Sequence, residues 1–142
     1  MPYCTVAQLT DRYGAQLLLQ LSDRGDAVAT EIDTDLFDRA IADGDAMIDG
    51  YLARRYALPL ETTPALITDL SQVIAIYKAH GQTVSDKIRE DYQTALKQLR
   101  DIGDGKITLD VAGAEPAAAG TNEVRTNEPE RPFTPSKMTG FI

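Results

Sequence analysis

Phe37, Ala40, Ile41, Gly44, Met47, Ile48, Tyr51 and Leu52 recur at intervals of three and four residues, and this stripe constrains the fold more than any other stretch. Such spacing lines one face of an α-helix, and a face that long is stable in water only when buried against other elements. Thr34 reads as the N-cap, with Asp35 and Asp38 in the first turn, where the helix dipole favours negative charge. Pro59 disfavours a helical residue before it, so the helix is expected to end around Arg55–Ala57. Asp38, Asp45, Asp49 and Arg54 fall mainly off the stripe. Asp45 and Asp49 lie one turn apart, yet neither has a third ligand near it, so a solvated acidic face is expected rather than a metal site.

The neighbouring segments supply the elements that such a face needs. Thr63 and Pro64 read as the N-cap and first residue of another helix, because proline loses nothing where the N–H is unpaired anyway. Leu66, Ile67, Leu70, Val73, Ile74, Ile76 and Tyr77 make it apolar on more than one side. That predicts the central, most buried helix, stopped at Gly81. A last helix is expected from about Val84 to Ile102, with Val84, Ile88, Tyr92, Leu96, Leu99 and Ile102 inward and Gly103 as C-cap. Two short helices precede all of these. Thr5 with Gln8 fits a capping box before Val6, Leu9 and Tyr13, and "AQLLLQLSD" places Leu17, Leu18 and Leu21 on one side. The fold class is therefore all-α, a small bundle of four to five helices.

After Gly105 the character changes. "KITLDV" could make one short strand, but one strand alone is not stable. "AGAEPAAAGTNEVRTNEPE" is too small and polar to repay its ordering entropy. The expected organisation is a helical domain over 1–105 and an extended, partly disordered tail over 106–142. Within the tail, 111–128 reads as a linker and 129–142 as a docking segment. That segment, "PERPFTPSKMTGFI", has Pro129, Pro132 and Pro135 at the period of polyproline II. It also carries Phe133, Met138, Phe141 and Ile142, apolar anchors that a purely solvating tail does not need. Docking on a partner is favoured over folding back on the chain's own body, since a linker gives reach rather than constraint.

Composition narrows the chemistry. A formal charge of −8 argues against non-specific nucleic-acid binding and against an anionic membrane surface. The single cysteine, Cys4, rules out an intrachain disulfide, and the single histidine, His80, rules out a His-rich zinc site. No apolar run approaches the length of a membrane span, and the start lacks the basic and apolar regions of a secretory signal, so a soluble intracellular product is expected. No nucleophile motif, P-loop or dinucleotide fingerprint is present. His80 stands beside the glycine that ends the central helix, where a structural role outweighs a catalytic one. "DRGDAVATEIDT" from Asp23 fails as a calcium loop, because Gly25, Ala27, Val28 and Thr34 stand where ligands and the turn glycine belong. Neither an enzyme nor a cofactor is expected.

"YCTVAQLTDRYG", "LSDRGD…EID", "RAIADGDAMIDGYLARRYALPL", "LRDIGDGKITL" and the closing "SKMTGF" together resemble, in that order, a family of Mu-like phage and prophage proteins, most specifically over Ala46–Leu60. That family is similar in helical architecture to the head-to-tail adaptor, or connector, proteins of long-tailed phages. The resemblance implies a virion neck protein, made in the host cytoplasm, that forms a ring of about twelve copies beneath the portal. It implies as partners the portal protein, neighbouring copies and a tail or stopper protein, with DNA passing through without specific binding and no membrane contact. It brings no catalytic residues and no metal. Phe133, Met138, Phe141 and Ile142 are then docking anchors on the portal or a neighbour, and Arg54 and Arg55 are candidate pairing groups between subunits. An acidic lining also keeps DNA from sticking. The competing expectation is an acidic regulatory protein that occupies a basic DNA-binding partner by charge mimicry.

Overall fold

The structure, a computed structural model, describes residues 2–25 and 28–111. Among them the chain forms α1 (Val6–Tyr13), α2 (Ala15–Ser22), α3 (Thr34–Leu52), α4 (Ala65–Ala79) and α5 (Asp86–Gly103), with no strand. The α4 helix packs against both α3 and α5, which also meet each other, and α1 and α2 close one end. Ile67, Leu70, Ser71, Val73, Ile74, Ala75, Ile76 and Ala79 are all buried on α4, so it is the central helix that its apolar faces predict. Its side chains divide the core in two. One half gathers Ile48, Leu52, Tyr56, Leu99 and Ile102 around Ile74, and the other gathers Leu9, Leu18, Phe37, Ile41 and Ile88 around Ile76. Each large side chain buried in this way contributes about 1.5–3 kcal/mol.

The predicted stripe of α3 is on the buried side throughout. Gly44 belongs to it for a steric reason: a methyl group there would lie 3.1 Å from Ile74 Cγ2, a tight contact where α3 and α4 approach. The short helices also form as the sequence indicates. Thr5 and Gln8 make the reciprocal capping box, and Gly14, at φ 89°, turns α1 directly into α2. Tyr77 and Tyr92 stack with centroids 3.8 Å apart, joining α4 to α5.

Helix ends differ from expectation, each for a local reason. Asp33, not Thr34, caps α3, its carboxylate accepting the Leu36 N–H. The helix stops at Leu52 rather than near Arg55–Ala57. Tyr56 turns inward there, 3% exposed, and its hydroxyl accepts the Leu109 N–H at 2.9 Å. Pro64 itself occupies the cap position of α4, with an extended backbone and no side-chain cap bond, one residue later than Thr63. Ser85 caps α5, so that helix begins at Asp86 rather than Val84. Gly103 is its last helical residue, Asp104 takes the cap position, and Gly105 makes the positive-φ turn at 86°. Residues 107–111 form no strand. Leu109 and Val111 instead pack into the core half containing Tyr56 and Ile102, so ordered packing continues past residue 105.

Candidate interaction surface

Tyr3 and Cys4 precede the first helix, yet both are buried. An arm of four residues, 2–5, reaches this position by satisfying its polar groups on α3 and α4. The Tyr3 N–H donates to Asp45 Oδ2 at 2.9 Å, and the Tyr3 hydroxyl donates to Asp49 Oδ1. Ser71, fully buried on α4, donates to Asp45 Oδ1 at 2.6 Å and lies 3.2 Å from Cys4 Sγ. Asp45 and Asp49 are therefore not a solvated acidic face. The i, i+4 spacing does bring the two carboxylates together, but it aims them at an arm 42 and 46 residues away in the chain. Nothing near them in sequence could announce that partner. One signal was available, a lone serine in the apolar run of α4, because a buried hydroxyl requires a partner.

Burial governs the electrostatics of this clamp. It raises the Asp45 carboxyl above its usual range, while the Ser71 and Tyr3 hydrogen bonds pull the other way. Burial first, and then the hydrogen bond to Asp49 and its charge, raise the Tyr3 hydroxyl strongly. Burial likewise raises the Cys4 thiol, which keeps it protonated and a poor nucleophile. The arm is thus held by neutral donors on carboxylate acceptors.

The clamped arm creates a cleft. Pro2, Cys4, Thr5 and Val6 form one wall, and Asp38, Ile41, Ala42 and Asp45 of α3 form the other, enclosing about 420 Å³. A more polar depression continues it along α3, bounded by Asp33, Asp35, Asp38, Arg39 and Ala42. The two share Asp38 and Ala42, so an apolar slot opens onto an acidic rim. Clefts of this size, mostly apolar with a few placed polar groups, suit capture of an apolar side chain. Asp33, Asp35 and Asp38 favour basic residues flanking it. Among the described residues, no group of three or more His, Cys, Asp or Glu side chains could hold a metal ion.

The residues singled out from the sequence fall elsewhere. Arg54 is exposed just beyond α3, whereas Arg55 is half-buried. The Arg55 guanidinium lies so close over Gly105 that a methyl group at 105 would fall 1.5 Å from Nη1. The two arginines thus differ in setting: the Arg55 guanidinium lies against the turn after α5, and Arg54 faces solvent. Phe133, Met138, Phe141 and Ile142 lie outside the described residues, as do the docking segment 129–142 and all of the linker beyond Val111. His80 takes the C-cap position of α4, with Nδ1 2.7 Å from the Ile76 carbonyl oxygen. The slot itself was not legible, because its two walls come from segments that carry no shared motif.

Known proteins match along the length of this chain. The family described as Bacteriophage Mu, Gp36 matches residues 3–128. Gene product J of Escherichia phage Mu is 29% identical over 142 residues, covering 100% of both chains. The Mu-like prophage FluMu protein gp36 of Haemophilus influenzae is 26% identical over 140 residues, covering 99% of this chain and 98% of its own.

Proposed function

The chain belongs to the Bacteriophage Mu Gp36 family, and from that membership we propose that it is a structural head-to-tail adaptor of a Mu-like phage or prophage. Copies close into a ring of about twelve beneath the portal, heterologous contacts generating a closed cycle. The ring receives the tail or a stopper protein, and DNA passes through it without specific binding. The C-terminal segment docks on the portal or on a neighbouring copy, with Phe133, Met138, Phe141 and Ile142 as its anchors. Arg54, exposed just beyond α3, is a pairing group for a neighbour.

One observation carries this reading. Val28 is the single large hydrophobic side chain exposed among the described residues, at 81%, whereas residues 129–142 hold two phenylalanines, a methionine and an isoleucine. A polar body, with the further apolar side chains gathered in residues 129–142, suits a part that stays monomeric until a binding place is offered. The acidic surface supports the same role, since like charge keeps DNA from adhering to a conduit. No described helix is long and apolar enough to cross a membrane.

A nonsense mutation in the corresponding gene tests the proposal. The expected result is DNA-filled heads and separate tails, joined again when the protein is supplied in trans. Tailed, infectious particles from the mutant would overturn it. The exposed run of Asp33, Asp35, Asp38 and Asp43 favours a second reading, an acidic regulatory protein bound to a basic DNA-binding partner. That reading requires a salt-sensitive complex with one basic protein, formed equally well without residues 129–142.

A further inference from the structure

We infer that the slot between the N-terminal arm and α3 is the seat for residues 129–142 of a second copy of this chain. The inference rests on the adaptor reading and specifies where one of its contacts lies. On one side stands the slot, with Val6, Ile41 and Ala42 among its apolar walls and a rim on which Asp33, Asp35 and Asp38 outnumber Arg39. On the other stands a segment in which Arg131 and Lys137, outnumbering Glu130, flank Phe133, Met138 and Phe141. Aromatic anchors in a pocket with opposite charge at its edge are the arrangement that concentrates binding energy.

Charge allows a second copy as the source: two acidic bodies repel one another, and Arg131 and Lys137 set against Asp33, Asp35 and Asp38 of a neighbour offset part of that repulsion. Length permits it: the 17 residues of 112–128 reach at most about 60 Å when fully extended. A folded body of this size has a radius of gyration of only about 13 Å. Placement fits as well. Val111 is buried with Tyr56 and Ile102 in one half of the core, whereas the slot is walled by Cys4 and Ile41 of the other half.

Disulfide trapping between full-length chains tests this. One chain carries Ala42→Cys in the slot and the other Thr139→Cys between Met138 and Phe141, both in a Cys4→Ser background checked by circular dichroism. If that background unfolds, Cys4 is retained, and a slot chain without Ala42→Cys measures what Cys4, itself a wall of the slot, traps. Controls replace Ala42→Cys with Thr94→Cys on exposed α5, or with Gln16→Cys in the depression between Ala15 and Ile32. The expected result is about tenfold more mixed dimer at position 42 than at either control, lost when Phe133 and Phe141 are changed to alanine. Asp38→Lys in the slot chain lowers the yield in the same direction.

Trapping equal at all three positions, or none at position 42, overturns the assignment. A chain carrying both cysteines that closes only on itself, with no mixed dimer, also overturns it by placing the segment in its own slot. None of these failures removes the adaptor reading, which stands or falls on particle composition, because a segment gripping another surface would still bring the protein into virions.

Discussion

Gly105 shows how much can depend on a single missing methyl group. Its φ of 86° strains any L side chain, and the Arg55 guanidinium fills the place where a Cβ would go. Gly105→Ala is expected to cost about 1–2 kcal/mol from backbone conformation alone, with the collision added. In a double-mutant cycle, Arg55→Ala should recover the collision part, so the two changes together cost less than their sum; strict additivity in denaturant melts would refute that contact. Asp45 offers a second test. Asp45→Ala removes the acceptor of the Tyr3 N–H and of Ser71, with an expected loss of about 2 kcal/mol. The pH dependence has a definite sign. Because burial raises the Asp45 carboxyl above its ordinary 3.8, the folded state holds this proton in a window where the unfolded state has released it. Asp45 therefore makes stability fall as pH rises from 3.8 through the folded value and then level off. Asp45→Asn should flatten that part of the profile relative to wild type, and an unchanged difference across the window would contradict the assignment.

At the scale of elements, the α3–α4 contact and the closing of the chain onto it are most open to measurement. Gly44→Ala improves helix propensity by about 1 kcal/mol. It also sets a methyl group 3.1 Å from Ile74 Cγ2, a fully buried side chain that must then shift by a few tenths of an ångström within a packed core. The expected balance is a net loss of about 1 kcal/mol in chemical denaturation, and a gain would show that the two helices can part without cost. Tyr56→Phe removes the acceptor of the Leu109 N–H, and the expected loss is about 1–3 kcal/mol with faster amide exchange at Leu109. These contacts also show what was legible. The interior of every helix could be read, because three- and four-residue spacing reports burial directly, and so could the capping box at Thr5. The end of α3 could not, because Tyr56 stops the helix to meet a backbone amide 53 residues away. For the same reason "KITLDV" looked like an orphan strand, although Leu109 and Val111 are core residues. The clamp of Tyr3 on Asp45 and Asp49, and with it the candidate slot, is long-range pairing of the same kind.

For the whole molecule, the proposed docking role of residues 129–142 makes a separable prediction. A chain ending at Gly120 keeps every residue described here, so its helical circular dichroism and melting temperature should match those of the full chain. It should nevertheless fail to support head–tail joining. Loss of folding would show that the body depends on the missing segment, and full joining activity would show that the segment is not the anchor. The arrangement of charge fits a part that DNA passes without adhering, since carboxylates along α3 and before it, Glu31 to Asp43, face outward. The most direct test of the adaptor claim is quantitative mass spectrometry of purified particles, comparing tailed virions with DNA-filled heads that lack tails. The account predicts this protein in virions at about twelve copies, as a closed ring requires, and its presence in tail-less heads would place it on the head side of the joint. Its absence from both kinds of particle would contradict the account.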